Sequence, residues 1–274
     1  MSPSTQRWLA GVGLTLLALL LAFPFYWAVV ASLTPEAALF REPSLWPRVL
    51  VLDHYRALFR ERDFWTPIRN SLVVAGATTA LCVTVGAFAA YALARLRFRG
   101  KRPLLAAILA VTMFPQIAIV SPLFLLLRTV GLIDTYPGLV LPYVTFAMPL
   151  AVWLLVGFFR QLPADLEEAA LVDGATRWQS FTRVLLPLSV PGLATTAILT
   201  FIYCWNEFLF ALSFTLGPDR QTVPVAVALF RGQYQVPWGQ ILAATVVATI
   251  PVTVVVLLFQ RRIVQGLSAG GVKG

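Results

Sequence analysis

The residues best able to do chemistry lie in one polar stretch and one polar interruption of an otherwise apolar chain. The stretch runs over residues 160–191 and holds four of the twelve acids, Asp165, Glu167, Glu168 and Asp173. Asp165-Leu-Glu-Glu168 has capping-box spacing with Pro163 just before it, so a short helix is expected over residues 166–172. Gly174 stands where a left-handed C-terminal cap would be needed. Thr176-Arg-Trp-Gln179 opens a second short helix through Val184, and Pro187 and Pro191 break the chain before the next apolar run. The two helices make an elbow. One side is expected to carry Leu166, Ala169, Ala170, Trp178 and Phe181, and the other Glu167, Glu168, Asp173 and Arg177. Such an elbow either lies on its own bundle or docks a soluble partner, with the small Ala169 and Ala170 permitting close approach.

The interruption is Glu207, the only formal charge inside an apolar run. In a membrane a charge at the helix centre costs at least ~2.5–3.5 kcal/mol and faces a bundle interior or a water path. With Tyr203, Trp205 and Asn206 it could line a pathway for a polar solute, or it could hold two membrane subunits together by an interhelical hydrogen bond. Elsewhere the chemistry is sparse. There is no Gly-x-x-x-x-Gly-Lys-Ser/Thr phosphate loop, so any ATP must be hydrolysed by a partner. Cys82 and Cys204 lie in apolar segments with no metal-ligand spacing and no disulfide framework, and read as small packing residues. The lone histidine, His54, is expected on a loop surface.

The elements that must position these residues follow from composition. Of 274 residues, 59% are hydrophobic and 12% charged, and mean hydropathy is +0.80. Soluble domains carry about 25% charged residues, so a soluble enzyme and a disordered chain are both excluded. Between the charges lie six apolar runs: residues 8–33, 70–94, 103–127, 135–159, about 191–215, and one within 232–260 whose helix is expected to start near Gln240. Each is long enough to cross about 30 Å of hydrocarbon as a helix, and none alternates as a barrel strand would. The expected fold is therefore all-α, a polytopic membrane protein with six transmembrane helices in one domain over residues 1–274. The first run is too long for a signal-peptide core and is taken as a retained helix.

An even number of spans puts both termini on one side. Twelve of the 21 basic residues fall on that side, among them the cluster Arg95, Arg97, Arg99, Lys101 and Arg102, and nine on the other. That places the termini and the elbow, residues 160–190, in the cytoplasm. The net charge of +9 is then membrane topology and partner contact rather than nucleic-acid binding. The first outer loop conflicts with this rule: it carries six arginines, interleaved with Glu36, Glu42, Asp53, Glu61 and Asp63. Its second half, residues 52–69, reads as an amphipathic helix, with Tyr55, Leu58 and Phe59 on one face and Arg56, Arg60 and Asp63 on another. A later outer loop, residues 216–239, is rich in Gly and Pro. Residues 223–230 are apolar enough to dip toward the membrane, and Arg231-Gly-Gln233-Tyr234-Gln forms a polar tip. It is either a plain surface loop or a contact for a delivered ligand or partner.

The elbow resembles the EAA loop of ABC-importer permeases. Glu168-Ala169-Ala170, three residues, Gly174, nine residues, Val184, one residue and Leu186-Pro187 match that motif with Val184 in place of Ile. Asn70-Ser71, Ala90-Tyr91-Ala92-Leu93-Ala94-Arg95, Phe98-Arg99-Gly100, Met113-Phe114-Pro115, Gly131-Leu132-Ile133-Asp134-Thr135 and Trp205-Asn206-Glu207-Phe208 resemble signatures of the carbohydrate permeases. The segment from Gly266 to Gly274 is similar to the tail of the second, smaller maltose-type subunit. The resemblance implies a type I ABC importer permease fold and a cytoplasmic (inner) membrane location. It implies four kinds of partner: a second homologous permease, two copies of an ATPase, an extracytoplasmic sugar-binding protein and the lipid bilayer. ATP and magnesium would sit on the ATPase, and this chain would bind no cofactor. Coupling to the ATPase would fall to Glu167, Glu168, Ala169, Ala170, Asp173, Gly174 and Pro187. The cytoplasmic tail, residues 263–274, would contact the ATPases through Ala269, Gly270, Gly271 and Lys273. Arg231, Gln233 and Tyr234 would meet the binding protein, and Tyr203, Trp205, Asn206 and Glu207 would line the sugar path or the seam between permeases. Other solutes of the superfamily, such as glycerol phosphate or a polyamine, and a stand-alone secondary transporter are the alternatives. The latter would show internal repeats and leave the elbow without a role.

Overall fold

Apolar runs have one economical way to satisfy their backbone away from water, and each of these forms helix. The computed structural model describes residues 3–41, 44–230 and 236–271, with side chains described between Thr5 and Gln260. In chain order, α1 (Pro3–Ser32) is followed by the short α2 (Asp53–Arg60) and the long α3 (Trp65–Arg95). Next come α4 (Lys101–Ala110), a 3-10 turn (Val111–Met113) and α5 (Gln116–Thr129). Then α6 (Tyr136–Gln161) leads into α7 (Asp165–Val172), α8 (Arg177–Ser180), a π turn (Phe181–Leu185) and α9 (Leu186–Leu188). The chain ends through α10 (Val190–Trp205), α11 (Leu209–Phe214), a 3-10 turn (Pro218–Arg220), α12 (Val223–Ala228) and α13 (Trp238–Gly271). No strand occurs among the described residues, in keeping with the all-α expectation.

Four helices are long and apolar enough to cross a membrane, Thr5–Ser32, Trp65–Arg95, Tyr136–Gln161 and Trp238–Gln260, and six spans result if each of two bent pairs is one span. The pairs are Lys101–Met113 with Gln116–Thr129, bent by 92°, and Arg177–Leu188 with Val190–Trp205, bent by 72°. The third run is thus not the continuous helix expected. Phe114 is extended (φ −73°, ψ 130°), as a residue before proline prefers, and α5 restarts only after Pro115. The fifth run also departs from expectation. Its helix α10 stops at Trp205, and α11 begins only at Leu209.

The chain forms two compact units, Met1–Trp65 with Val227–Pro251, and Thr66–Ala226 with Val252–Gly274. The second unit is built around α6, whose Leu139, Tyr143, Ala147, Ala151, Leu155 and Phe159 are essentially buried. Cys82 and Cys204 lie unpaired in the same core, as packing residues. The start of α6 is fixed by the turn before it. Asp134 takes the left-handed region (φ 59°), and the Thr135 hydroxyl accepts the Gly138 N–H at 3.2 Å. The Asp134 N–H donates to the Phe214 carbonyl at 2.9 Å and its carboxylate accepts the Leu216 N–H at 3.0 Å.

In the first unit α2 docks on the end of α1: Leu58 is fully buried, and Ser32 and Tyr55 share a 2.7 Å hydrogen bond. Two expectations are corrected here. The amphipathic helix over residues 52–69 is broken, because Asp63 adopts φ 45° and the turn sends Phe64 inward, where it is 1% exposed. His54 is half-buried rather than fully at the loop surface. Its Nε2 lies 3.0 Å from the Thr34 carbonyl, and its ring fills the space above Gly239, where a Cβ would meet it at 2.4 Å. The Glu36 carboxylate accepts the N–H groups of Trp238 and Gly239 at 2.9 and 2.8 Å, capping α13 slightly earlier than its expected start.

Gly138 shows how tightly the turn before α6 is set, since a Cβ there would lie 2.0 Å from the Leu132 carbonyl oxygen, whereas Gly157 has open space. Gly138→Ala should destabilise the purified protein by at least about 1–3 kcal/mol. Gly157→Ala should leave it unchanged or slightly more stable. Thermal unfolding in detergent, followed by tryptophan fluorescence, separates the two. Equal melting of both variants would rule out this turn.

Candidate functional site

The elbow is built by backbone chemistry that can be followed residue by residue. Leu162 is extended (ψ 136°) ahead of Pro163, which ends α6. The capping box expected at Asp165 does not form. The N-cap is Ala164 with no side-chain bond, and Asp165, Glu167 and Glu168 sit in the first turn, where acids favour the helix dipole. At the other end the cap is a complete Schellman motif. Ala175 N–H donates to Ala170 O at 2.9 Å and Gly174 N–H to Leu171 O at 3.1 Å, with Gly174 at φ +87°. The demand for glycine is conformational, since a Cβ there would meet nothing within 4 Å. The second capping box forms as expected: Gln179 N–H donates to Thr176 Oγ1 at 3.2 Å and Thr176 N–H to Gln179 Oε1 at 2.8 Å.

The faces of the elbow are partly the reverse of those expected. Glu167 is turned inward and only 8% exposed, while Leu166, Val172 and Trp178 are 39%, 86% and 61% exposed. Tyr91 of α3 donates its hydroxyl to Glu167 Oε1 at 2.8 Å, and Arg95 Nε lies 4.0 Å from Oε2. Arg95 also donates through Nη2 to the Leu162 carbonyl at 2.5 Å, closing the end of α6. Phe181, 1% exposed, sits in an aromatic cage. Its ring centroid is 4.6 Å from Tyr91, 5.6 Å from Phe88 and 6.2 Å from Phe159. Trp178 stacks on Phe88 at 5.8 Å but keeps its outer face free of the bundle. Glu168, Ala169, Asp173 and Gly174 are exposed, Ala170 half-buried and Pro187 exposed. The elbow therefore presents a small apolar knob and keeps one acid for itself.

The second candidate region divides. Trp205 is 3% exposed and packs on Phe201 at 5.7 Å. Glu207 is also buried, and its carboxylate accepts the Phe210 N–H at 2.8 Å and the Ala211 N–H at 3.2 Å. It caps α11 inside the chain, a role that neither expectation included. The orphan N–H groups of a helix restarting in an apolar region need such an acceptor. Asn206 is exposed, and Tyr203 accepts a 2.8 Å hydrogen bond from Gln116, the first residue after the break between α4 and α5. The two helix breaks are thereby linked, which the sequence reading missed. An Asn-Glu pair inside an apolar run was the signal available.

Asn70 and Ser71 also have a defined task. Asn70 Nδ2 donates to the carbonyls of Asp219 and Gln221, both at 2.9 Å, and Oδ1 accepts the Tyr136 hydroxyl at 2.7 Å. Ser71 Oγ accepts the Val223 N–H at 2.8 Å. These bonds fix the loop leading to α12. The tip residues Arg231, Gln233 and Tyr234 lie outside the described residues, as do Lys273 and the side chains of Ala269, Gly270 and Gly271.

Residues 82–269 match the family described as binding-protein-dependent transport system inner membrane component. The chain belongs to this family. The matched region of this permease starts in the middle of α3 and includes Phe88, Tyr91, Arg95, the elbow and both helix breaks. The permease is 55% identical over 207 residues, 75% of its length and 76% of the relative's, to the trehalose transport system permease protein SugB of Mycobacterium tuberculosis. It is 40% identical over 271 residues, 98% of each chain, to the trehalose/maltose transport system permease protein MalG of Thermococcus litoralis. In fold it is similar to a chain of a bacterial ABC transporter involved in the import of the acidic polysaccharide alginate. That match has a TM-score of 0.79 and 24% identity, and covers 95% of this permease and 98% of that chain.

Tyr91→Phe removes the one hydroxyl that serves the buried Glu167 carboxylate, a loss of about 1–3 kcal/mol in local stability. Amide hydrogen exchange over residues 164–189 should accelerate by roughly five- to a hundredfold for that loss, with exchange in α6 unchanged. Unaltered exchange in the elbow would show that the bond does not hold it.

Proposed function

We propose that this permease is one of two unlike membrane subunits of an ATP-driven importer of a di- or oligosaccharide. It lies in the cytoplasmic membrane with both termini and the elbow in the cytoplasm. An extracytoplasmic binding protein delivers the sugar, and two copies of a separate ATPase, which hold the ATP and magnesium, drive the cycle. The sugar assignment is supported by the names of the relatives, which transport trehalose or maltose.

The observation that carries the coupling reading is the exposed apolar knob of the elbow, Leu166, Ala169, Val172 and Trp178, on a base locked by Tyr91, Arg95 and Phe181. Exposed apolar groups in an aqueous compartment favour a partner's pocket. A locked base makes the knob useful, because a displacement applied to α7 passes to α3 and α6 rather than being absorbed by a loose loop. Closure of the ATPase pair would move two such elbows together and switch the bundles between inward- and outward-open forms, a rigid-body change. Glu168 and Asp173 flank the knob and supply charge for the docking surface. Glu167 acts from inside as a positioning residue. Along the path, Asn206 and Tyr203 offer an amide and a phenol to sugar hydroxyls, while Trp205 and Glu207 hold the local fold.

The test is uptake of labelled trehalose or maltose by cells expressing the complete transporter. Glu168→Ala combined with Gly174→Ala should cut uptake at least tenfold and weaken co-purification of the ATPase, with insertion into the membrane unchanged. Uptake that persists in the double variant without the ATPase would defeat the importer reading. Deleting residues 266–274 should lower sugar-stimulated ATP hydrolysis and leave insertion intact. Full stimulation after the deletion would remove the tail from the coupling route.

A further inference from the structure

Both interrupted spans break inside an apolar run, and both breaks are open at the surface. Thr112, Met113, Phe114 and Pro115 are exposed at the first, with Phe114 extended, and Asn206 and Phe208 are exposed at the second. Backbone out of helix at membrane depth cannot face lipid. It persists where protein buries it or where water fills a cavity beside it. One polar contact joins the two breaks: Gln116 Nε2 donates to the Tyr203 hydroxyl at 2.8 Å, and both side chains are half-buried. Asn206 follows Tyr203 by three positions at the end of α10 and keeps helical dihedrals (φ −89°, ψ 0°). Residues at that spacing are neighbours on one helix face. Gln116, Tyr203 and Asn206 all belong to the second compact unit. The contact uses one amide hydrogen and one hydroxyl lone pair. The Tyr203 hydroxyl keeps its own hydrogen as a donor, and Gln116 keeps Oε1 as an acceptor.

We propose that Gln116 and Tyr203 form a subsite for a vicinal diol of a neutral pyranose on the solute path, with Asn206 at its edge. The subsite rests on the sugar-import reading and adds Gln116 to it, as the residue that distinguishes adjacent sugar hydroxyls. A donor and an acceptor on adjacent groups make the pattern that a vicinal diol completes, because each sugar hydroxyl both donates and accepts. One hydroxyl donates to Gln116 Oε1, and its neighbour accepts from the Tyr203 hydroxyl. The charge at the breaks selects in the same direction. Glu207 is the only formal charge within residues 111–118 and 201–209, and both its oxygens accept backbone N–H groups. These segments offer a phosphate no cation and an ammonium no vacant carboxylate.

The experiment compares uptake of labelled trehalose and maltose with that of their deoxy analogues, in which one ring hydroxyl is missing from both halves of the disaccharide. Cells express the complete transporter, and each variant is compared with the unsubstituted permease sugar by sugar, so the selectivity of the binding protein cancels. At subsaturating sugar, Gln116→Leu should lower uptake of the parent disaccharide about two- to tenfold. Analogues that keep the contacted diol should lose the same factor. The analogue lacking a contacted hydroxyl should lose less than about twofold, because that bond is already absent. Tyr203→Phe, which removes a single oxygen, should show the same pattern and serves where leucine at position 116 prevents assembly. An equal loss for every sugar would show that the contact only holds the two breaks together, and would overturn the subsite. Unchanged uptake of the parent disaccharide would overturn it too. Loss of the second permease when either variant is purified would assign the breaks to the seam between subunits instead. All three outcomes leave the sugar-import reading standing. No uptake of either disaccharide by the unsubstituted transporter would defeat that reading, and the subsite with it.

Discussion

One buried hydrogen bond, from the Tyr91 hydroxyl to the Glu167 carboxylate, governs how the elbow relates to the bundle. A carboxylate taken out of water is costly unless it is paired and hydrogen-bonded, and removing one partner of such a pair strands the other. Glu167 therefore cannot leave α3 without stranding its partner, and Arg95 links the same acid to the Leu162 carbonyl just past the end of α6. The aromatic cage around Phe181 adds apolar area to a geometry that the polar contacts have already fixed. Gly174 matters for the same reason. Its left-handed turn sends the chain back so that Phe181 can reach the cage at all.

The same rule explains most of the other polar residues embedded in apolar helices. Away from water every donor and acceptor must find a partner inside the protein. Asn70 satisfies three of its hydrogen-bonding positions on one loop and one tyrosine, Glu207 satisfies two backbone N–H groups of α11, and Asp134 joins the start of α6 to the end of α11. These side chains act mainly as internal wiring. What they leave exposed includes Trp178 and Val172 on the elbow and Asn206 near the helix break.

Much of this architecture is legible in the sequence, and what is not has physical reasons. Charge-free runs identify the helices because their length and apolar content leave no alternative. The Gly174 cap and the Thr176–Gln179 box are legible because they depend on local backbone needs, and both form. The direction of Glu167 is not legible. An acid in an exposed first turn reads as solvated, and it is drawn inward by tertiary partners, Tyr91, 76 positions away in the chain, and Arg95. The break after Met113 was written in Pro115, but the hydropathy of the run outweighed it. The break at residues 206–208 has no proline or glycine, and depends on one carboxylate replacing backbone acceptors. His54 misleads for a related reason: a loop histidine reads as exposed until a glycine elsewhere in the chain, Gly239, makes room for its ring.

The two broken spans are tied to each other, and one of them runs on directly from the elbow. The elbow continues through Ser189 directly into α10, so a displacement of α7–α9 reaches the N-terminal end of α10 first. A continuous helix would carry it on to Phe214, whose carbonyl is bonded to the Asp134 N–H at the start of α6. The break at residues 206–208 separates the two helices: α11 is pinned by Asp134 and capped by Glu207, while α10 packs along α6. That break lies beside Tyr203, and Tyr203 is bonded to Gln116 at the other break. The two interruptions thus lie together, beside the exposed Asn206, and each half of a broken helix is held by its own side-chain contacts.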